Sequence, residues 1–315
     1  MAAGAAMLAS ACSRQGGDPN VIRIGYLANL SHAPMLTGIL SGRIQSALRG
    51  VRVETRVFRA GPRVVEALIG RAIDVGVTGP APVVIAHARH GPGTLSIASG
   101  LASGGASFIV SAKSRVRGPR DLRGKTVASV QIGSTMDIAL RKYVREGGLD
   151  FAEHGGDVNL VALAAPTILL ELASNDLAGA WLPEPWATRA VREGGGTRLV
   201  DERDRWPDHA FSAALLVARG DYAKREGETL GKLAGAIDGE ISLGRKDPAA
   251  LESETYAAIK ALTGNPGANA VFHEALARVD FTSDPLPDAV EAFAADACAL
   301  GLIPPVACGS LFPRA

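Results

Sequence analysis

The sequence predicts an α/β protein of two lobes, the second inserted into the first. Three observations carry this. Short apolar strands alternate with amphipathic helices through the first two hundred residues, the pattern of a mostly parallel sheet. The alternation breaks once, at Gly118-Pro-Arg-Asp-Leu-Arg-Gly124, and resumes as a second series. After a strand near residue 213 only helices are expected, and the first sheet is the economical place to pack them. The chain therefore crosses between lobes twice, near 110 and near 210. The predicted division is a leader at 1–20, one lobe from 21–110 with 210–315, and the other from 111–209.

Each element has a local reason. Residues 21–26 alternate as a short strand, and 33–48 carry helical spacing through Leu36, Ile39, Leu40 and Ile44. In 51–58 Val51, Val53, Thr55 and Val57 alternate with charged residues, which suits a half-buried strand. A helix with proline in its first turn follows at 62–69. The strand 73–78 ends at Gly79-Pro80, a helix covers 81–90, and strands follow at 95–98 and 108–111. The second series reads as strands at 126–130, 158–163, 178–182 and 197–200, with helices at 134–146, 166–173 and 185–192. The strand 213–218 precedes helices near 221–244, 248–262, 266–278 and 286–300.

Composition narrows the function. The 315 residues are 47% hydrophobic and 21% charged, ordinary for a globular chain. Net charge is +1 and no basic stripe is present, so a nucleic-acid partner is not expected. The basic cluster from Lys113 to Lys125 reads as a solvated linker. Its Gly118–Thr126 stretch misses the phosphate-loop spacing and precedes a strand rather than following one. His273-Glu274 lacks a second histidine at Ala277. His87 and His90 alone share a helical spacing, so neither a metal nor a cofactor is expected. No serine stands in a nucleophile elbow.

The N-terminal stretch 2–11 is small, apolar and uncharged, and closes on Leu8-Ala-Ser-Ala-Cys12. It resembles the end of a bacterial lipoprotein signal peptide with Cys12 lipidated. A plain secretory signal, cleaved without lipidation, is the alternative. Either implies export, with 13–20 as a tether. In an oxidising compartment Cys298 and Cys308 could pair and pin the C-terminal tail.

Candidate ligand residues gather in loops at the carboxyl ends of predicted strands, where α/β sheets bind ligands. They are Asn29, Ser31 and His32; Thr78, Gly79 and Pro80; Ser103 and Gly104; and Gly133, Ser134 and Thr135. Ser134 or Thr135 caps the next helix, whose first turn offers N–H groups to an anion. Asp137 reads as a capping acid. Glu184 stands in Trp181-Leu-Pro-Glu-Pro-Trp186. It accepts from the ligand or bridges the lobes, while Trp181 and Trp186 wall the pocket or pack in the core.

Several segments together resemble a known family: Ile24-Gly-Tyr, Ala72-Ile-Asp-Val-Gly, Asp121-Leu-Arg-Gly-Lys, Gly133 to Arg141, and Trp181 to Trp186. In order and spacing they are similar to the periplasmic solute-binding proteins of ABC importers, of the nitrate, sulfonate and taurine type. The resemblance covers residues 21 to 310. It implies a type II fold, monomeric and without enzymatic activity, with a ligand cleft between hinged lobes. It also implies a small organic anion delivered to a membrane permease with its ATPase, at the periplasmic or outer face. The family's cleft maps onto the loops named above and onto Glu184. Hinges are expected near 109–112 and 208–213. The alternatives are an enzyme or precursor-binding protein of the thiamin pyrimidine type, and a sensor feeding a membrane kinase.

Overall fold

A computed structural model describes residues 20–312. The strands are β1 Val21–Leu27, β2 Arg52–Phe58, β3 Val75–Thr78, β4 Leu95–Gly104, β5 Ala106–Val110, β6 Thr126–Ser129, β7 Asn159–Ala162, β8 Gly179–Pro183, β9 Thr197–Asp201, β10 Ser212–Arg219 and β11 Val279–Phe281. The helices are α1 Ala33–Leu40, α2 Arg43–Ala47, α3 Gly61–Ile69, α4 Pro80–His90, α5 Thr135–Glu146, α6 Ala165–Ser174, α7 Trp186–Arg192, α8 Gly220–Arg225, α9 Gly227–Lys246, α10 Pro248–Thr263, α11 Asn269–Leu276 and α12 Pro287–Ala299.

Two sheets form, in the orders β11-β4-β10-β3-β1-β2 and β7-β6-β8-β5-β9. In the first, β3, β1 and β2 run parallel while β10 runs against β3 and β4. In the second, β7, β6 and β8 are parallel and β5 runs against β8 and β9. This is the two-lobe α/β architecture expected from the sequence.

Four details differ from the expectation. The predicted loop at 99–105 is mostly strand, because β10 and β11 supply ladder partners along β4. The strand placed at the end of the first lobe is β5, and it belongs to the second sheet. The first crossing is therefore at Gly104-Gly105 rather than near 110. Both glycines hold positive φ, +76 and +71, and a Cβ on Gly104 would stand 2.6 Å from Arg203 Cδ and 3.0 Å from the Arg278 carbonyl oxygen. Only glycine combines that conformation with that approach. The second crossing runs through residues 202–211. The C-terminal third contributes one strand, β11, where none was expected. Finally, the first helix is split into α1 and α2 at Gly42, whose φ is +74.

The C-terminal helices do more than cover the first sheet. Helices α9 and α10 pack on α1, with buried Glu240 holding Thr37 Oγ1 at 2.8 Å and Arg43 at 2.6 Å. But α11 packs on α7, and α12 packs on both α4 and α5, so both touch the inserted lobe. One apolar cluster accordingly runs through both lobes, joining Val83, Val217 and Phe293 to Phe108, Ile138 and Trp181.

Candidate functional site

The carboxyl ends of β1, β3 and β4 face those of β6 and β8, and the loops there meet at two helix starts. On the first lobe Gly79 precedes α4. Prolines at 80 and 82 leave Ala81 as the one N–H among the first three helical residues. On the second lobe Ser134 caps α5, its hydroxyl accepting from Asp137 N–H at 3.2 Å. Gly133, at φ +75, donates its N–H to Asp137 Oδ2 at 2.8 Å, and Ser134 N–H is taken by the Gln131 carbonyl at 3.2 Å. Thr135 and Met136 N–H are then the donors left at this end of the helix dipole.

The capping acid is itself fixed. Asp137 is fully buried and accepts from Arg141 Nε at 3.1 Å. Arg141 also bonds Glu153 and lies 5.2 Å from the Phe151 ring centroid. Burial raises the Asp137 pKa, and Arg141 and Gly133 N–H oppose that rise.

The two helix starts touch. A Cβ on Gly79 would lie 2.3 Å from Thr135 Oγ1 and 3.3 Å from Thr135 Cβ. Thr78 Oγ1 and Thr135 Oγ1 are both buried without a hydrogen-bond partner. Thr78 stands against α3 as well, since a Cβ on Gly61 would be 2.5 Å from its hydroxyl.

The loop after β1 forms a short 3-10 turn packed on β4 and β10. Asn29 accepts from Ser31 N–H at 3.2 Å, the cap expected of this segment, though from Asn29 rather than Ser31. His32 is buried, and its Nδ1 accepts from Leu27 N–H at 3.2 Å. Burial lowers its pKa to about 3, so the ring is neutral and carries its hydrogen on Nε2. Ser103 lies within β4, opposite Ser212, and Gly104 serves the crossing.

Two sequence candidates fall away from this junction. Trp181 is a core residue, stacked on Phe108 with ring centroids 5.3 Å apart and edge-on to Tyr143 at 5.6 Å. Alternation along β8 turns it inward beneath α5. Glu184 is 1% exposed and committed inside its own lobe. It accepts from Thr188 N–H at 2.9 Å and from Arg198 Nη2 at 2.9 Å, while its own N–H reaches the Gly105 carbonyl at 2.8 Å. These contacts join Glu184 to α7, β9 and the crossing at Gly105, and none of them reaches the first lobe. Trp186 is half-buried beneath the Arg189 guanidinium, 4.7 Å from the ring centroid. Arg189, Arg198 and Arg141 were missed. An arginine inside a short strand, as in Thr197-Arg-Leu-Val, was the available signal for Arg198.

Cys298 and Cys308 are free thiols, so the pairing left open by the sequence is not formed. Cys308 is buried against Glu291, whose carboxylate accepts its N–H at 2.7 Å, and burial pushes its pKa up to about 12. Cys12 lies outside the described residues. Among the described residues no group of three or more His, Cys, Asp or Glu could hold a metal, and no helix is long and apolar enough to cross a membrane. A recess of about 340 Å³ lined by Thr126, Phe151, Glu153 and Asn159 sits toward the amino end of β6, away from the junction.

This fold is that of the two-lobed periplasmic binding proteins. The structure superposes on the alkanesulfonate-binding protein SsuA of Xanthomonas axonopodis pv. citri bound to MOPS with a TM-score of 0.78, covering 95% of this chain and 100% of that one at 21% identity. The chain belongs to the NMT1-like family, whose model matches residues 15–238. It is 27% identical over 221 residues to a binding protein of Brucella abortus (strain 2308), spanning 69% of this chain and 65% of that protein's length. It is 25% identical over 192 residues to the taurine-binding periplasmic protein of Escherichia coli K12, spanning 61% and 57%.

Proposed function

We propose that the protein is an exported solute receptor of an ATP-driven importer, not an enzyme, and that it closes its lobes around a small organic anion. The observation that carries this is the meeting of two helix starts from opposite lobes over two buried, unpartnered threonine hydroxyls. Two positive dipole ends repel, and an anionic head between them offsets that repulsion. Thr78 Oγ1, Thr135 Oγ1, and the N–H groups of Ala81, Thr135 and Met136 are the donors, with His32 Nε2 as a further one. The arginines of the second lobe and the crossing are already engaged: Arg189 with Glu193, Arg198 with Glu184, and Arg203 with Asp201, which also takes Arg278. The head is thus held by dipoles and hydroxyls, which suits a sulfonate, and two of the named relatives are a taurine-binding and an alkanesulfonate-binding protein. The moving bodies are 21–104 with 212–312, and 106–201, turning at Gly104-Gly105 and at 202–211. The partner is a membrane permease with its ATPase, and the receptor acts as a monomer.

The test is a melting-temperature screen against taurine, alkanesulfonates, aromatic sulfonates, nitrate, bicarbonate and pyrimidines, since a ligand of the folded state must raise it. A sulfonate shift is expected. Thr78→Val and Thr135→Val should each abolish it while the unliganded melting temperature holds. A shift that survives both variants places the anion elsewhere.

We further propose that lipidated Cys12 anchors the receptor at the periplasmic face. Cys12→Ala should move the protein from the membrane to the soluble fraction, and unchanged fractionation refutes the anchor.

A further inference from the structure

The second crossing carries a carboxyl group that the anion site does not use. Glu202 follows β9 and is buried, with Oε1 accepting from Trp206 Nε1 at 2.9 Å. Its Oε2 is buried without a partner, and so is the indole N–H of Trp181. That N–H is near enough to favour the ionised carboxylate, yet it meets neither oxygen in hydrogen-bond geometry. Burial is the larger influence and pushes the carboxyl from its ordinary 4.5 up to about 7.

Two cations face this group, Lys142 from α5 and Arg205 from its own turn. Both are held elsewhere. Arg205 bonds Glu146 at 2.6 Å and lies over the Tyr143 and Trp181 rings at 5.3 and 5.8 Å. Lys142 Nζ bonds Asp296 of α12 at 2.8 Å, an ion pair between the lobes. It also sits 5.8 Å from the centroid of Trp206, the ring that donates to Glu202. Trp206 in turn packs on Phe293 of α12, with centroids 4.8 Å apart. Lys142 therefore stands between two carboxyl groups, one on the first lobe and one at the crossing.

We propose that Glu202 and Lys142 form a proton-linked latch between the lobes. With Glu202 neutral, Lys142 stays on Asp296 and holds α5 against α12. When Glu202 loses its proton, the buried carboxylate draws Lys142 away and favours a form in which water reaches the crossing. A half-exposed pair such as Lys142–Asp296 is weak, so a neighbouring charge can tip it. The sign follows from linkage. The closed form binds the Glu202 proton more tightly than a wetted form, so acid favours closure. Closure weakens as pH rises from about 4.5 to about 7. This device goes beyond the receptor reading and does not depend on which ligand is bound.

The test uses the unliganded full chain across that pH range. Trp181 and Trp206 are two of the three tryptophans, so indole emission reports on Glu202 directly, and small-angle scattering reports on lobe separation. Emission and radius of gyration should change together, with one midpoint between about 4.5 and 7. Glu202→Gln should flatten both and remain compact. Asp296→Asn should keep the emission titration and lose the radius change. A flat wild-type emission curve, a titration that persists in Glu202→Gln, or a radius that does not follow emission overturns the latch. If Glu202→Gln does not fold, the surface variant Lys142→Met decides, because a pH-dependent radius surviving it also overturns the proposal.

Discussion

Gly79→Val is expected to leave the fold intact and to hold the two lobes apart. The backbone does not need glycine here: φ is −74 and ψ 167, open to any residue. What forbids a side chain is the other lobe. The nearest atoms to a Cβ at 79 are Thr135 Oγ1 at 2.3 Å and Thr135 Cβ at 3.3 Å, with the Ala213 carbonyl at 3.5 Å. A single methyl group can be met partly by rotating the Thr135 hydroxyl. The branched valine meets the threonine Cβ and the Ala213 backbone, which do not rotate away. Scattering should therefore show a larger radius of gyration for Gly79→Val and a smaller increase for Gly79→Ala. Unfolding free energies from urea titration should stay within about 0.5 kcal/mol of wild type, as for substitutions that strain nothing inside one lobe. Pairing Gly79→Ala with Thr135→Gly should restore the compact radius, because the clash is specific to that pair. A compact Gly79→Val protein would show that the lobes do not meet at this point.

The junction was legible in the sequence because its chemistry is local. A glycine before two prolines, and a glycine-serine-threonine turn before an apolar helix, declare their helix starts within a few residues. What those starts face is set by chain segments far away, so the contact between Gly79 and Thr135 could not be read. The same limit explains β4. Ser99 to Gly105 shows no apolar alternation, and it becomes strand only because β10 and β11 pair with it. The five residues of β5 are buried on both faces, four of them apolar, and carry no mark of which sheet they join. Trp181 and Glu184 lie three residues apart in one motif and were read together. On β8 the first is turned into the core, and the second is captured by Arg198, fourteen residues on. A proline-flanked carboxylate between tryptophans looks the same in sequence whether its partner is a ligand or an arginine.

That captured carboxylate gives the largest stability effect expected in the molecule. Arg198 donates to Glu184 Oε1 at 2.9 Å and to Thr188 Oγ1 at 3.0 Å, and it also bonds Ser107 of β5. It thereby ties the start of α7 to β9 and β5. Arg198→Leu leaves Glu184 buried, with Thr188 N–H as its remaining donor. Breaking a buried pair from one side costs about 3–5 kcal/mol at neutral pH, because the surviving charge is uncompensated. For a chain of this size that is a fall of roughly 10 °C in melting temperature. The loss should shrink in acid. Burial already raises the Glu184 pKa, and Arg198 is the principal influence opposing it. Without Arg198 the carboxyl rises further and is neutral over a wider range. A raised acid holds its proton in the folded state where the unfolded chain releases it, so stability falls as pH climbs from the ordinary value of 4.5 to the raised one. Arg198→Leu should therefore lose less, relative to wild type, at about pH 5 than at about pH 8. Glu184→Gln combined with Arg198→Leu should recover most of the loss, because a neutral amide can still accept from Thr188 N–H and no buried charge remains. Equal losses at both pH values, or a double variant no better than Arg198→Leu alone, would mean that Arg198 acts by packing and not by charge.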